Sequence, residues 1–335
     1  MAKRKNKKKQ KKQRVFYLLL LLLITSLSLT TSTYAWFTTN RMVQIDLLDV
    51  SVRAQGGIEV SVDGTSWKSK ILLDDLKNAS EKYGTNINQI PFVLEPVSTI
   101  GELEDGKMKM FKGTAMNNSS GKYTLEATRS NEEQSFGDES NGIFITFDLF
   151  LKTNTNTNLY LTPASNAKYL GEKSVGIENA VRFAFIEEGT TTVNAPLNTI
   201  QNLKTNDNSK VYIWEPNYDT HTEHGIANAR DIYGLNISNP SNPISYDGVL
   251  KEISKNMNIT TDKASANNYP NYFKKVDVKY YTKNGFDANT EIFNLRAGIT
   301  KIRVYMWVEG QDVDCENNAS IGNMSLNLQF STNPS

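Results

Sequence analysis

Apolar residues recur at every second position over much of this chain, the periodicity of strands with one face buried. In residues 142–152, Ile143, Ile145, Phe147, Leu149 and Leu151 share one parity, while the other parity is mixed, as in an interior strand. Ile302, Val304, Met306 and Val308 do the same within 301–309, and Met324, Leu326, Leu328 and Phe330 within 324–330. Residues 180–186, 211–214 and 275–281 read as further strands, and the TNTNTN run at 153–158 as a polar turn into Leu159 and Leu161. Near the start, Val43, Ile45 and Leu47 occupy one face and Leu48, Val50 and Val52 the other. That change of parity predicts a β-bulge. Gly56-Gly57 then predicts a hairpin reversal into Ile58, Val60 and Val62, closed by Asp63-Gly64, with Trp67 packing at the core or its rim.

Helical spacing is scarcer. Leu72, Leu73, Leu76 and Ala79 predict a short amphipathic helix over 70–83, stopped by Gly84. A second is expected at 248–257. Residues 129–141 are polar and charged and read as an exposed loop. Residues 215–271, rich in Asn, Pro and Gly, read as a loop-rich insertion on one face of the sheet. Many alternating strands, few helices and long polar connections predict a mainly β fold: an antiparallel, jelly-roll-like β-sandwich with one or two short helices. One elaborated domain spanning 36–335 accounts for this better than two.

The first 35 residues break the pattern. Nine of the first fourteen are Lys or Arg, a run of ten apolar residues follows at 15–24, and a Ser/Thr-rich stretch ends at Thr33-Tyr34-Ala35. A basic end, an apolar centre and a small-residue exit are the parts of a secretory signal peptide. As a hydrophobic helix the apolar run spans roughly 15 Å of a ~30 Å hydrocarbon layer. Residues 1–35 therefore read as a leader cleaved near Ala35, with an uncleaved membrane anchor as the alternative. The expected location is the cell surface or extracellular space, and the expected early partners are the membrane and a signal peptidase.

This changes the meaning of the charge. Residues 1–35 hold nine of the 37 basic residues and none of the 36 acidic ones, so residues 36–335 carry 28 basic against 36 acidic groups, a net charge of −8. An acidic exported body offers no electrostatic case for nucleic-acid binding. The single cysteine, Cys315, rules out an internal disulfide framework and Cys-rich metal sites. The C-terminal SLNLQFSTNPS has neither an apolar tail nor a basic stop, so covalent wall attachment is not expected.

Candidates for chemistry are weak. The only two histidines form His221-Thr-Glu-His224, a spacing that can bring two imidazoles to one metal. The zinc-protease helix needs His residues four apart with Glu after the first, which this is not. Exposed loop histidines are the plainer expectation. Asp312, Asp314 and Glu316 offer alternating oxygen ligands, but without the spacing of the helix–loop–helix calcium loop they read as a solvated acidic turn. Cys315 needs an imidazole within reach to act as a nucleophile, and the nearest lies about ninety residues away in sequence. An unpaired or intermolecular thiol is expected instead. Tyr212, Trp214 and Tyr218 are the types that stack on sugars, though in a β-sandwich they more often pack. No catalytic residue, metal or cofactor is expected, and the chain reads as a non-enzyme.

The block Thr33-Tyr34-Ala35-Trp36-Phe37 resembles the leader end of the TasA/camelysin family, exported matrix-fibre proteins of Gram-positive bacteria processed by a specialised signal peptidase. A more specific likeness, to surface proteins of gut Firmicutes, runs through Tyr34-Ala-Trp-Phe, Phe147-Asp-Leu-Phe-Leu-Lys152 and Trp307-Val-Glu-Gly-Gln-Asp-Val-Asp-Cys315. The resemblance implies a jelly-roll subunit outside the cell that self-associates, or joins other surface proteins, by donating the freed segment 36–43 as a strand. The metal-dependent proteolysis linked to the camelysin branch has no matching motif here. The function expected is a structural cell-surface or biofilm-matrix protein. An adhesin or glycan-binding module is the alternative, and a metal-dependent hydrolase at His221 and His224 is third.

Overall fold

A computed structural model describes Tyr17 and residues 43–54, 57–91, 93–117, 123–130, 141–170, 176–237, 239, 243–261, 265–280, 291–315 and 321–332. The chain divides into two units, Met1–Thr33 and Tyr34–Ser335. Within the first, only Tyr17 is described, and it is helical. The leader and its hydrophobic helix otherwise lie outside the described residues, as does nearly all of the loop expected at 129–141. Among the described residues no helix is long and apolar enough to cross a membrane.

The second unit is mainly β, with several antiparallel sheets. The larger sheet contains β1 (Val43–Ala54), β3 (Lys70–Leu72), β4 (Val93–Leu94), β10 (Asn141–Gly142), β12 (Thr157–Leu161), β13 (Asn166–Tyr169), β19 (Glu291–Leu295) and β21 (Ile321–Ser331). Its path runs β10-β4-β1-β21-β12-β19, with β3 added to β1 and β13 to β21. The second sheet runs β18 (Val278–Tyr280), β15 (Val211–Glu215), β14 (Val181–Thr191), β20 (Gly298–Val308), β11 (Ile145–Thr153), β2 (Glu59–Ser61). Most pairings are antiparallel. The first and last described strands, β1 and β21, instead run parallel, as do β4 with β10 and β15 with β18.

One core draws side chains from both sheets. Phe147, Phe183, Val304 and Met306 come from the second sheet and Leu159, Phe293, Leu326 and Phe330 from the larger one. The parity expected for β11, β20 and β21 is therefore the parity that faces this core, except that Ile143, ahead of β11, joins a second cluster. The register of β1 against β21 slips between Leu47 and Asp49, where the change of parity predicts a bulge.

The opposite face of the second sheet is buried too. Ile186, Ile213, Tyr305 and Trp307 lie beneath Val97, Met110, Tyr246 and Val276. Tyr83, Phe150, Ile200 and Ile299 form a further cluster beside Trp67. The cover includes a small sheet of β5 (Val97–Ser98), β8 (Met110–Asn117) and β9 (Tyr123–Ser130), with a short antiparallel pair, β6 (Leu103–Glu104) and β7 (Lys107–Met108), between β5 and β8 in the chain. Val249, Ile253, Ile259 and Phe273 pack on β8 and β9.

Three local expectations are corrected. The strand after Gly57 does not form a hairpin with β1: β2 pairs with β11 in the other sheet, while β1 has β21 on one side and β3 and β4 on the other. In the expected helix 70–83, Lys70–Leu72 is strand, because it pairs with Ser51–Arg53 of β1. Only Leu73–Lys77 (α1) and a 3₁₀ turn, Asn78–Glu81, are helical; they bury Leu76 and Ala79, and Tyr83 is buried just beyond them. At 248–257, β16 (Asp247–Val249) pairs with β17 (Phe273–Lys275), leaving a 3₁₀ turn at Lys255–Met257. Gly248 is required there by close approach, since a Cβ would lie 2.3 Å from the carbonyl oxygen of Thr99.

Candidate functional site

Beyond β20 the chain folds into a turn, 309–315, that is buried throughout. Its backbone is tied down: Glu309 N–H donates to Ala180 O at 2.8 Å and Gly310 N–H to Val97 O at 2.9 Å. Asp312 N–H and Cys315 N–H close the turn on the carbonyls of Glu309 and Asp312. Placing this acidic sequence indoors forces each carboxyl group to find donors or keep a proton.

Asp314 finds its donors at a helix start. Thr222 caps α3 (Glu223–Asp231), the next helix along the described chain after α2 (Leu197–Gln201). The Thr222 hydroxyl accepts from Gly225 N–H at 2.9 Å and donates to Asp314 Oδ1 at 2.7 Å, while Thr222 N–H donates to the same oxygen at 2.8 Å. The other oxygen, Oδ2, lies 2.8 Å from Nδ1 of His221. A carboxylate held against the first turn of a helix is stabilised by the unpaired N–H groups there.

Asp312 pairs with Arg182, a fully buried residue of β14 that also reaches Glu215 at 2.7 Å. The guanidinium donates to the carbonyls of Asn179 and Val181 and lies 5.2 Å from the ring of Tyr246. Burial opposes its charge, but Glu215 and Asp312 outweigh burial and hold its pKa above the ordinary arginine value. Glu309 accepts from Trp307 Nε1 and Gln311 N–H, both at 3.0 Å. Even so, burial pushes its pKa up to about 7. Burial also raises Glu215, against the pull of Arg182, and Asp312, where the nearby Asp314 adds to the effect.

The structure thus brings His221, Asp312 and Asp314 together and leaves His224 apart, exposed on the first turn of α3. Two imidazoles do not share a metal, and among the described residues no group of three or more His, Cys, Asp or Glu is arranged to hold one. The solvated acidic turn is corrected: Asp312 and Asp314 are 3% and 0% exposed. The exposed-histidine reading fits His224 but not His221, which is 9% exposed. Glu316 lies outside the described residues. Cys315 points into the main core, and Nε2 of His221 is buried without a hydrogen-bond partner. Of the aromatic residues that could stack on sugars, Trp214 is fully buried and Tyr218 is stacked on Tyr280 at 3.8 Å.

Sequence reasoning misses Arg182, Glu215 and Glu309, and a second buried cluster on the outer face of the same sheet. There Asp148 of β11 lies 3.0 Å from Arg303 and 3.2 Å from Lys301, both of β20, and accepts from the Tyr83 hydroxyl at 2.9 Å. Glu188 of β14 completes it, 3.3 Å from Arg303. The available signal is charge inside apolar strands, since Asp148 and Arg303 are direct cross-strand partners. Both clusters are buried: Arg182 is set among Glu215, Glu309 and Asp312 in the first, and Lys301 and Arg303 against Asp148 and Glu188 in the second. No family model, curated protein or solved structure matches the chain.

Proposed function

We propose that the chain is an exported structural protein of the cell surface or extracellular matrix, a jelly-roll-like β-sandwich that polymerises by strand donation. The observation that carries this reading is the pairing of β1. On one side β1 pairs with β21 from Gln44 to Ala54. On the other, among the described residues, it is covered at its ends, by β4 at Val43 and Gln44 and by β3 at Ser51 to Arg53. Between them, residues 45–50 have no strand partner on that side among the described residues. Six residues at ~3.3 Å each make a slot of about 20 Å in the middle of the sheet. Cleavage near Ala35 frees a segment, 36–42, of matching length directly ahead of β1. A neighbour's copy entering the slot makes a head-to-tail contact that does not close on itself and so builds fibres.

The test is the intact mass and N-terminal sequence of protein recovered from cells, with its size by light scattering. A start near Trp36 with large assemblies is expected, and deletion of 36–42 is expected to abolish them while leaving the fold. A full-length monomer extracted only with membranes overturns the proposal.

A further inference from the structure

The parallel strands β15 and β18 separate at one end. They pair at Ile213 with Val278, Trp214 with Lys279 and Glu215 with Tyr280. Continuing that register would set Tyr212 against Asp277 and Val211 against Val276. Instead Val276 N–H donates to Tyr246 O at 3.2 Å, and the chain before it joins the β16–β17 pair. A groove of about 510 Å³ opens between the two chains. Ile100, Val211, Ile213, Val276 and Val278 line it with apolar surface. Lys210, Lys274, Lys275 and Lys279 also border it, against one acid, Asp277. Lys210 and Lys279 lie 4.6 and 5.4 Å from the ring of Tyr212, which brings their charges to one place. Lys210, Lys274 and Lys275 are exposed, and among the described residues none of these three forms an ion pair.

We infer that this groove binds an extended acidic peptide segment of a partner protein, added as a strand along β15. Three features converge on that ligand. Val211 and Tyr212 pair with β14 on one side and have no strand partner on the groove side among the described residues, and because backbone groups alternate in direction along a strand, one of the two turns its N–H and C=O to the groove for main-chain pairing. The apolar lining suits the alternate side chains of a strand that point inward. The lysines, on a body whose net charge is negative, select acids on the outward positions and disfavour basic segments. The donor segment 36–42 contains Arg41 and no acid, so this site is distinct from the slot beside β1.

The experiment titrates the purified full-length chain into a fluorescein-labelled nine-residue peptide with Glu alternating with Val or Thr, read by anisotropy. The same peptide N-methylated at every residue and a polygalacturonate chain serve as comparison probes. The plain peptide is expected to bind, more weakly as salt rises. Lys210→Glu with Lys275→Glu is expected to weaken it about tenfold. Lys168→Glu with Lys255→Glu, exposed lysines elsewhere, is expected to leave it unchanged. The N-methylated peptide, stripped of main-chain donors, is expected to lose most of its binding. Equal binding of the N-methylated peptide, indifference to the groove reversal, or polygalacturonate binding through the same lysines each overturns the proposal. None of these readouts depends on leader cleavage or polymer formation.

Discussion

Glu309 makes the buried network sensitive to pH in a direction that can be worked out. Its carboxyl is fully buried, accepts from Trp307 Nε1 and Gln311 N–H at 3.0 Å each, and is further held by the Ser98 hydroxyl. These donors and the nearby Arg182 favour the ionised form, but burial outweighs them and sets the pKa at about 7, against an ordinary 4.5. A group with a raised folded pKa binds more protons in the native state than in the unfolded chain. Its stabilising contribution is therefore full below about pH 4.5 and is lost as pH rises through about 7. The gap between the two values corresponds to roughly 3 kcal/mol, to an order of magnitude. Glu309→Gln keeps the shape and one acceptor oxygen but does not titrate. Urea midpoints, followed by the fluorescence of the buried Trp214 and Trp307, give stability from pH 4.5 to 8. The expected result is that the difference between wild type and variant changes by roughly 3 kcal/mol across this window, in the variant's favour as pH rises. Parallel profiles for the two proteins would refute the reasoning, since they would place the titration in other groups.

Three further outcomes follow from the packing. Asp148→Asn leaves Lys301 and Arg303 buried with half their partner and is expected to cost about 3–5 kcal/mol, whereas Tyr83→Phe, which removes one hydroxyl from the same cluster, is expected to cost about 1–2 kcal/mol by urea unfolding. Gly225→Ala puts a Cβ 2.3 Å from Asp314 Oδ1 and is expected to lose about 1–3 kcal/mol, while Gly84→Ala, with nothing within 4 Å, is expected to be close to neutral in the same assay. Cys315 is expected to react with a thiol reagent only as fast as the protein unfolds, and stoichiometric labelling of the native protein would show that its burial is wrong.

The strands were legible where one parity was uniformly apolar, as in β11, β20 and β21, because that parity reports the face turned to the main core. The bulge in β1 was legible for the same reason. Partner choice was not, since alternation says nothing of which strand lies alongside, and so the local hairpin lost to pairing of β2 with β11. The helix expected at 248–257 failed because Gly248 is a close-approach position in a strand. His221, Asp312 and Asp314 were visible as residue types, but their meeting depends on α3 starting against a turn some ninety residues later in the chain. The deeper miss is on the outer face of the second sheet. Lys301 and Arg303 alternate with apolar residues, the pattern of a face turned to water, yet both are buried, as are Arg182 and Asp148. A hydrophobic period measures residue chemistry rather than burial, and it assigns such charges to solvent by default. The sharper test is complementarity across strands. Of the alternating side chains on this face, β11 contributes the acid Asp148 and β20 contributes Lys301 and Arg303, with Glu188 of β14 supplying the second negative charge. Two acids against two bases on three adjacent strands is the balance a closed interior requires, because an unmatched charge there costs several kcal/mol.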